Sequence, residues 1–336
     1  MDNIEYAYEK AKRHKAWQDT VQKVERRKDE YLKRLQDSLR THRYKTSPYR
    51  EKKIYEPKER TIYILPFYPD RIAQHAVMNI VSPIWDRFFI DDSYACREGK
   101  GQHKGSKRCM QFVRRNRYCL QCDISKFYPS IDHEILMRII KRKIKDKETL
   151  DLLEEIVTSI GGTRNVPIGN YTSQWFGNLY MNEMDMFIKH KHHVRDYIRY
   201  CDDFLLFSNS KDTLRFLSKE ITEFAAERLK LRLSKCALFP TAQGVDFLGY
   251  RHFPNGKILV RKSTAKRQKR KLKAIPYLLK HGKITKEAAL SSLCSIKGWL
   301  AWGNTRNLSL SLGLEELEKW IRAFPIERTV PDEALG

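Results

Sequence analysis

Two adjacent carboxylates lie in an apolar, β-prone stretch of this 336-residue chain. Asp202 and Asp203 are the acids of the segment RYCDDFLLF, residues 199–207. A buried carboxylate needs a cation, hydrogen bonds or protonation to persist. A third acid, Asp123, ends a second strand-like run at residues 118–122. The adjacent pair alone is also compatible with a turn or a capping pair, so the interpretation depends on all three acids.

Three such carboxylates suit a hard divalent cation. Mg²⁺ binds carboxylate oxygens and keeps water and substrate phosphate as its other ligands. Two ions about 3.5–4 Å apart can activate a primer 3′-hydroxyl and stabilise the departing pyrophosphate. We therefore expect Asp123, Asp202 and Asp203 to be both the catalytic residues and the ligands of two Mg²⁺ ions, for which Mn²⁺ could substitute.

The charge of the chain favours a polyanionic partner. Lys and Arg total 65 against 41 Asp and Glu, a formal net charge of +24, while 41% apolar residues are enough for a sizeable core. An anionic membrane surface would attract the same charge. The sequence has no apolar run of about 18 residues and no cleavable signal at its start. We therefore expect a cytoplasmic protein that binds nucleic acid and no membrane.

The cysteines give no disulfide framework. There are seven of them, an odd number scattered along the chain, which is typical of reduced thiols. Cys119 and Cys122 have the spacing of zinc ligands, but they lie in a predicted strand, where residues three apart point to opposite faces. We interpret both as buried structural cysteines.

The elements that must position the acids alternate between helix and strand. Residues 1–48 are polar, with apolar residues at helical spacing, and predict a helical arm. The arm either packs on the body or contacts nucleic acid or a partner. The other predicted elements are strands at 61–65 and 118–122, helices at 70–84 and 133–160, a helix capped by Thr172 or Ser173 that reaches about 190, and a β-hairpin at 194–208 with the acids at its bend. This order indicates an α+β fold.

The C-terminal part differs in composition. Residues 257–283 contain eleven Lys or Arg and no Asp or Glu, a charge density that favours phosphate binding. From about residue 263 to 324 the pattern is helical, with Trp299, Trp302 and Trp320 as apolar anchors. We predict three segments: the arm at 1–48, a mixed region at 49–255 and a basic helical region at 256–336.

Taken together and in order, these segments resemble the reverse-transcriptase family. Residues 200–203 (YCDD) are similar to its Tyr-X-Asp-Asp box, and residues 123–133 (DISKFYPSIDH) are similar to its first metal motif. Shorter similarities to the fingers, the substrate pocket and the primer-grip turn extend the resemblance over about residues 50–255. It implies an RNA-directed DNA polymerase shaped like a right hand, with fingers and palm at 49–255 and a thumb at 256–336. Its ligands would be template RNA, a primer or cDNA, and dNTPs.

The resemblance also implies roles for single residues. Lys58 and Arg60 would hold the incoming triphosphate. Tyr128, five residues after Asp123, would be the aromatic gate that excludes a 2′-hydroxyl, with Phe127 as the alternative; both could instead be core aromatics. Lys235 would donate a proton to pyrophosphate or be a solvated lysine.

The segment VPIGNYTSQ, residues 166–174, indicates a subgroup. Most retroviral and group II intron enzymes carry Gln before the residue corresponding to Gly169 and Pro after the serine, whereas this chain has Ile168 and Gln174. That form, together with residues 92–104 (DSYACREGKGQHK), resembles reverse transcriptases of diversity-generating retroelements. The resemblance implies error-prone copying of a template-repeat RNA, with errors at template adenines. Ile168 offers only apolar contact and so should weaken the rejection of mispairs, unless it merely fills a wall.

Members of that group also work with a small, basic, ring-forming accessory protein and are encoded by bacteria, archaea or phages. The accessory protein could dock on residues 1–45 or on residues 97–117, where eight basic residues accompany one acid. Within enzymes, the alternatives are a retron, a phage-defence reverse transcriptase or an intron maturase remnant. Outside enzymes, the alternative is a non-catalytic RNA-binding protein with a polymerase fold.

Overall fold

The computed structural model of the chain describes residues 2–55 and 59–325. Its residues form two compact units, each made of segments that are discontinuous in sequence. The first unit comprises the described residues up to Gly105 together with Tyr118–Phe239. The second comprises Ser106–Arg117 and the described residues from Pro240 onward. No helix among the described residues is both long and apolar enough to cross a membrane.

The elements confirm a mixed α+β chain. Its helices are α1 (Asn3–Lys12), α2 (Asp19–Glu25), α3 (Lys28–Arg40), α4 (Ile72–Asp86), α5 (Gln102–Arg115), α6 (Phe127–Ser130), α7 (His133–Lys143), α8 (Lys147–Thr158), α9 (Tyr171–Met186), α10 (Lys211–Leu229), α11 (Lys262–Lys280), α12 (Lys286–Leu300), α13 (Arg306–Ser311) and α14 (Leu314–Ala323). Its strands are β1 (Arg50–Ile54), β2 (Arg60–Ile64), β3 (Tyr118–Ile124), β4 (Tyr197–Tyr200), β5 (Asp203–Ser208), β6 (Leu233–Pro240), β7 (Val245–Phe247), β8 (Tyr250–His252) and β9 (Ile258–Val260).

A four-stranded sheet with the order β4-β5-β3-β6 organises the first unit. Strand residues alternate between the two faces of a sheet. On β3, Leu120, Cys122 and Ile124 point into the main apolar core. Gln121 and Asp123 therefore point to the opposite face. The alternation explains how an acid can end a strand whose other face is buried.

Helix α9 is the central helix of this core. Twelve of its sixteen residues are buried, including Trp175, Phe176 and Tyr180, and each large apolar side chain that is fully buried stabilises the fold by about 1.5–3 kcal/mol. The prediction that Thr172 or Ser173 caps this helix is wrong, because Asn170 occupies the N-cap position. Ser173 Oγ instead donates to the carbonyl oxygen of Pro167, 2.7 Å away.

The single helix predicted over residues 133–160 is two helices. Asp132 caps α7, its side chain accepting a hydrogen bond from the amide of Ile135, and Asp146 caps α8 in the same way through Thr149. The chain is extended at Ile144. An N-cap acid in the middle of the predicted helix was therefore the signal of the break.

The N-terminal segment is part of the first unit and packs on its helix α4. Ile4, Ala7, Tyr8 and Ala11 form the buried face of α1, and Asn3 Nδ2 donates to the carbonyl oxygen of Ala76 on α4, 2.9 Å away. The polar residues of the segment remain on its outer face. Helix α1 thus covers α4 with a narrow apolar stripe, while the charged residues of the segment stay exposed.

The second unit has its own sheet and its own core. Its sheet has the order β7-β8-β9, and the Tyr250 ring stacks on Trp299 with the centroids 4.7 Å apart. The core lies among helices α11, α12 and α14, with Leu272, Leu293 and Ile321 buried. The division into fingers-and-palm and thumb at residue 255 stays a prediction.

Candidate active site

The three acids converge at one end of the central sheet of the first unit. β4 and β5 form the predicted hairpin, in which Tyr200 is paired with Asp203 and Cys201 adopts a left-handed conformation with φ 54°. Asp202 lies in the turn and Asp203 begins β5. On the neighbouring strand, Asp123 is the direct cross-strand partner of Asp203. The structure thus places the three predicted acids together.

Opposed carboxylates are unfavourable without a cation. Directly opposite residues of antiparallel strands have Cβ atoms about 4.5–5.5 Å apart, and like charges in that position destabilise a sheet. Asp123 and Asp203 are opposed in this way, and Asp202 adds a third charge. Carboxylate oxygens of this kind fit a hard divalent ion. The residues that would hold it are Asp123, Asp202 and Asp203.

The carboxylates also have protein partners. Asp123 Oδ2 accepts a hydrogen bond from Ser234 Oγ, 2.7 Å away, and Asp203 Oδ1 accepts one from Gln121 Nε2, 3.5 Å away. Over the ranges 2–55 and 59–325, no three His, Cys, Asp or Glu side chains are placed to hold one ion together.

A buried ion pair fixes the turn that carries Asp202. Arg199 and Asp185 are both fully buried, and Arg199 Nη2 donates to Asp185 Oδ2 at 2.7 Å. Arg199 Nη1 donates to the carbonyl oxygen of Cys201, 3.0 Å away. Burial alone would lower the pKa of Arg199, but Asp185, joined by Tyr197 and Cys201, raises it above its usual value, so the guanidinium stays charged. The ion pair thus ties α9 to the acidic turn.

Tyr128 and Phe127, the two candidates for the gate, have different surroundings. Phe127 is 3% exposed and belongs to the core. Tyr128 packs only partly against that core, and its pKa is raised by burial first and then by Cys201, Cys96 and Asp202. Gly177 on α9 lies against both rings: a Cβ there would be 3.1 Å from Phe127 Cε1 and 3.2 Å from Tyr128 Cε1. The gate role of Tyr128 stays a prediction.

The predicted pocket segment is tied to β2. The carbonyl oxygen of Ile168 accepts a hydrogen bond from the amide of Tyr63, 2.8 Å away. Gly169 has φ +122°, and a Cβ there would overlap the carbonyl oxygen of Tyr63. Glycine is therefore required at 169. Gly169 lines a cavity of about 140 Å³ together with residues of β2, Arg71, Gln74 and Asn170. Gln174 is exposed on the first turn of α9.

The remaining predicted residues have different surroundings. Arg60 begins β2 opposite Ile54 and is exposed, whereas Lys58 lies outside the described residues. Lys235 is on β6, where its Nζ donates to Gln121 Oε1, 2.7 Å away. Lys235 is therefore linked to the site through another side chain.

The sequence did not identify several residues that support the site: Gln121, Gly177, Asp185, Arg199 and Ser234. For three of them, the sequence pattern could have indicated a role in the site. Gln121 lies two positions before Asp123 in a strand and must share its face, and Asp185 and Arg199 are charged residues within apolar surroundings. Ser234 and Gly177 gave no such indication, because their contacts join segments far apart in sequence.

Comparison with known proteins gives a consistent picture. The profile of the family described as "Reverse transcriptase (RNA-dependent DNA polymerase)" matches residues 51–252. Protein YkfC of Escherichia coli is 26% identical over 296 residues, which cover 73% of this chain and 75% of that protein. Group II intron-encoded protein LtrA of Lactococcus lactis is 23% identical over 297 residues, covering 66% of this chain and 49% of LtrA. The chain thus spans about half the length of LtrA.

Two solved telomerase structures are also similar in part. Apo telomerase of Candida tropicalis gives a TM-score of 0.48 at 12% identity, covering 67% of this chain and 59% of that one. Telomerase of Candida albicans, in complex with a fragment of telomeric RNA, gives 0.47 at 11% identity, covering 89% and 68%.

Proposed function

The chain belongs to the reverse transcriptase (RNA-dependent DNA polymerase) family, and from this membership we propose that it synthesises DNA on an RNA template. The single observation that carries the proposal is the cross-strand pairing of Asp123 with Asp203 beside the turn that holds Asp202. Both motifs lie within the residues that match the family. Their carboxylates share one end of one sheet, as a common reaction centre requires.

We propose Mg²⁺ as the natural ion, bound by Asp123, Asp202 and Asp203, with Mn²⁺ as a substitute. When bound, the ions would activate the primer 3′-hydroxyl and stabilise the leaving pyrophosphate. The protein's own residues have complementary tasks. Arg60, together with Lys58, would orient the triphosphate; Tyr128 would exclude a ribose 2′-hydroxyl; and Lys235 would donate a proton to pyrophosphate.

The finer proposal is error-prone copying, with errors at template adenines, of a template-repeat RNA that diversifies a target gene. It rests on Ile168 and Gln174 within VPIGNYTSQ. Because the Ile168 backbone is bonded to β2, the position of its side chain depends on the same strand that begins at Arg60. Isoleucine has no polar group with which to hold the base or sugar, so discrimination there depends on shape alone, which separates similar substrates poorly.

We also propose that the protein acts in the cytoplasm with a small, basic, ring-forming accessory protein. Two surfaces are candidates, the outer face of residues 1–45 and residues 97–117. The cations of the second candidate are partly engaged, since Arg97 Nε contacts Asp86 Oδ1 at 2.6 Å and Lys100 Nζ contacts Asp91 Oδ1 at 2.5 Å. Co-purification with charge-reversal variants of each surface distinguishes them.

Primer extension tests the main proposal. The full chain is given an RNA template, a DNA primer, dNTPs and Mg²⁺, beside a variant with Asp202→Ala and Asp203→Ala. The parent should extend the primer and the double variant should not, while Asp151→Asn, an exposed acid on α8, should extend normally. Incorporation retained by the double variant contradicts the assignment of the acids. RNA binding by the parent without any incorporation would favour the non-catalytic alternative.

A further inference from the structure

Gln121 is a buried polar residue beside the acids. It is 5% exposed and lies on β3 two residues before Asp123, so that both side chains project from the same face of the sheet. Its cross-strand partner on β5 is Leu205, which brings it diagonally next to Asp203. A buried amide needs hydrogen-bond partners on both its oxygen and its nitrogen.

Gln121 bonds two groups of opposite charge. Lys235 Nζ donates to Gln121 Oε1 at 2.7 Å, and Gln121 Nε2 donates to Asp203 Oδ1 at 3.5 Å. The chemistry of these partners fixes the orientation of the amide, because an ammonium can only donate and a carboxylate can only accept. A flipped amide would place its donors against the ammonium and its oxygen against the carboxylate. The amide therefore stands between the ammonium and the carboxylate.

This arrangement keeps apart two charges that would otherwise attract each other. Within the part of the chain that the structure describes, Lys235 forms no ion pair with a carboxylate. Its four-carbon stem is flexible, so with no amide at position 121 the ammonium could reach Asp203. A direct ion pair would neutralise a carboxylate that an incoming cation requires, and it would also engage the proton on Lys235.

We propose that Gln121 is a positioning residue that separates the Lys235 ammonium from the Asp203 carboxylate. Asp203 is thereby kept from pairing with Lys235, and Lys235 stays available to the leaving pyrophosphate. The inference rests on the proposed polymerase function and adds to it a residue that acts through its two neighbours. It also explains why a polar side chain occupies a buried position of β3 between Cys119 and Asp123.

A double-mutant cycle tests the separation. Gln121→Met removes the hydrogen bonds to Lys235 and Asp203 at nearly constant volume, and Lys235→Met removes the ammonium. The readout is Mn²⁺ and Mg²⁺ binding to the full chain by calorimetry without nucleotide, together with kcat and KM for dNTP. Thermal unfolding of each variant shows whether it is folded.

Gln121→Met should weaken cation binding about fivefold, the ratio expected of one partly exposed ion pair, because Lys235 then pairs with Asp203. In the Lys235→Met background, the same substitution should change cation binding less than about twofold, since no ammonium remains to compete. An equal loss in both backgrounds would assign Gln121 a packing role and overturn the proposal.

Gln121→Glu keeps the shape of the side chain if the methionine variant does not fold. Glutamate would hold Lys235 by a full charge, so cation binding should be no weaker than in the parent while kcat falls with KM for dNTP little changed. Cation binding weakened about fivefold relative to the parent would contradict the proposal. Calorimetry without nucleotide does not require turnover, so it tests the positioning role of Gln121 independently of polymerase activity. A chain that binds the cation but cannot extend a primer would disprove the proposed polymerase function, while the effect of Gln121 on cation binding would still be measured.

Discussion

Arg199 and Asp185 form a fully buried ion pair, with two hydrogen bonds of 2.8 and 2.7 Å between the guanidinium and the carboxylate. A third contact joins Arg199 Nη1 to the carbonyl oxygen of Cys201. One side chain thus connects the C-terminal turn of α9 to the turn between β4 and β5. The position of Asp202 depends on a residue that need not touch substrate.

Breaking the Arg199–Asp185 ion pair should lower the free energy of unfolding. Asp185→Asn leaves a buried guanidinium without its charge partner, which typically costs about 3–5 kcal/mol. Urea denaturation measures the loss. Asp212→Asn breaks the exposed pair between Asp212 and Arg215 and should change stability by less than about 1 kcal/mol. Equal effects of the two substitutions would contradict a structural role for the buried pair.

Gly169→Ala should damage the connection between the pocket segment and β2. The added methyl group would overlap the carbonyl oxygen of Tyr63, in addition to the backbone strain of about 1–3 kcal/mol at a positive φ. Gly99→Ala is the matched control, because Gly99 also has a positive φ, +70°, but no atom lies within 4 Å of its added Cβ. Thermal melts should show a larger loss for Gly169→Ala, together with a raised KM for dNTP.

Tyr128→Ala should admit ribonucleotides. If its ring is the gate, the ratio of kcat/KM for dCTP to that for CTP should fall about tenfold or more, as the site loses a shape-based contact. Phe127→Leu, which alters the buried neighbour, should lower stability by about 0.5–3 kcal/mol and leave this ratio unchanged. A changed ratio in Phe127→Leu alone would transfer the gate role to Phe127.

Ile168→Gln should raise fidelity. A glutamine can hydrogen-bond the nascent pair, so misincorporation opposite template adenine should fall, by about tenfold if the new bond is worth roughly 1.4 kcal/mol. Sequencing of cDNA copied from a defined RNA gives the error rate, and Ile64→Val in β2 serves as a nearby packing control. An unchanged error rate opposite adenine would mean that Ile168 only packs in the pocket and does not affect fidelity.

Stability should fall on acidification below pH 6.5. Burial lowers the pKa of His252 from 6.5 to about 4, so the unfolded chain binds a proton there in this window and the folded chain does not. Unfolding is therefore favoured progressively as the pH decreases from about 6.5 to about 4. His252→Gln should flatten the decline seen by chemical denaturation, whereas His193→Gln, at an exposed site, should not.

The sequence predicted the helices and strands better than the residues at which they begin and end. The hairpin of β4 and β5, the strand that ends near Asp123 and the helix at α4 were all foreseeable, because period-two and period-3.6 patterns report burial of one face directly. The break between α7 and α8 was missed because the helical spacing of apolar residues continues across it. The chain nevertheless leaves the helix there, and Asp146 caps the start of α8. The α9 cap was wrong because Ser173 bonds the carbonyl oxygen of Pro167, a choice set by tertiary context.

In the candidate site, too, local motifs were predictable from the sequence, whereas contacts between distant segments were not. The sequence motifs identified the three acids because the Asp202-Asp203 pair and Asp123 occur together, each at a strand-like run; the pair alone would also fit a turn or a cap. The relation of Lys235 to Gln121 depends on the adjacency of β6 and β3, strands 114 residues apart at this contact. No local pattern specifies such a pairing. The hydrogen bond between Ser234 and Asp123 required the fold for the same reason.

The second unit includes Ser106–Arg117, which precede the rest of the unit by more than 120 residues of sequence. Folding of this unit must therefore wait during synthesis on the ribosome until its later residues have been made. Trp302 Nε1 donates to Ser106 Oγ, 2.9 Å away, across 196 positions of sequence. At about 5–20 residues per second, translation needs roughly 10–40 seconds to cover that distance. For that time the buried residues Cys109, Phe112 and Val113 are made but lack the rest of their unit. The growing chain should need a chaperone most in that interval.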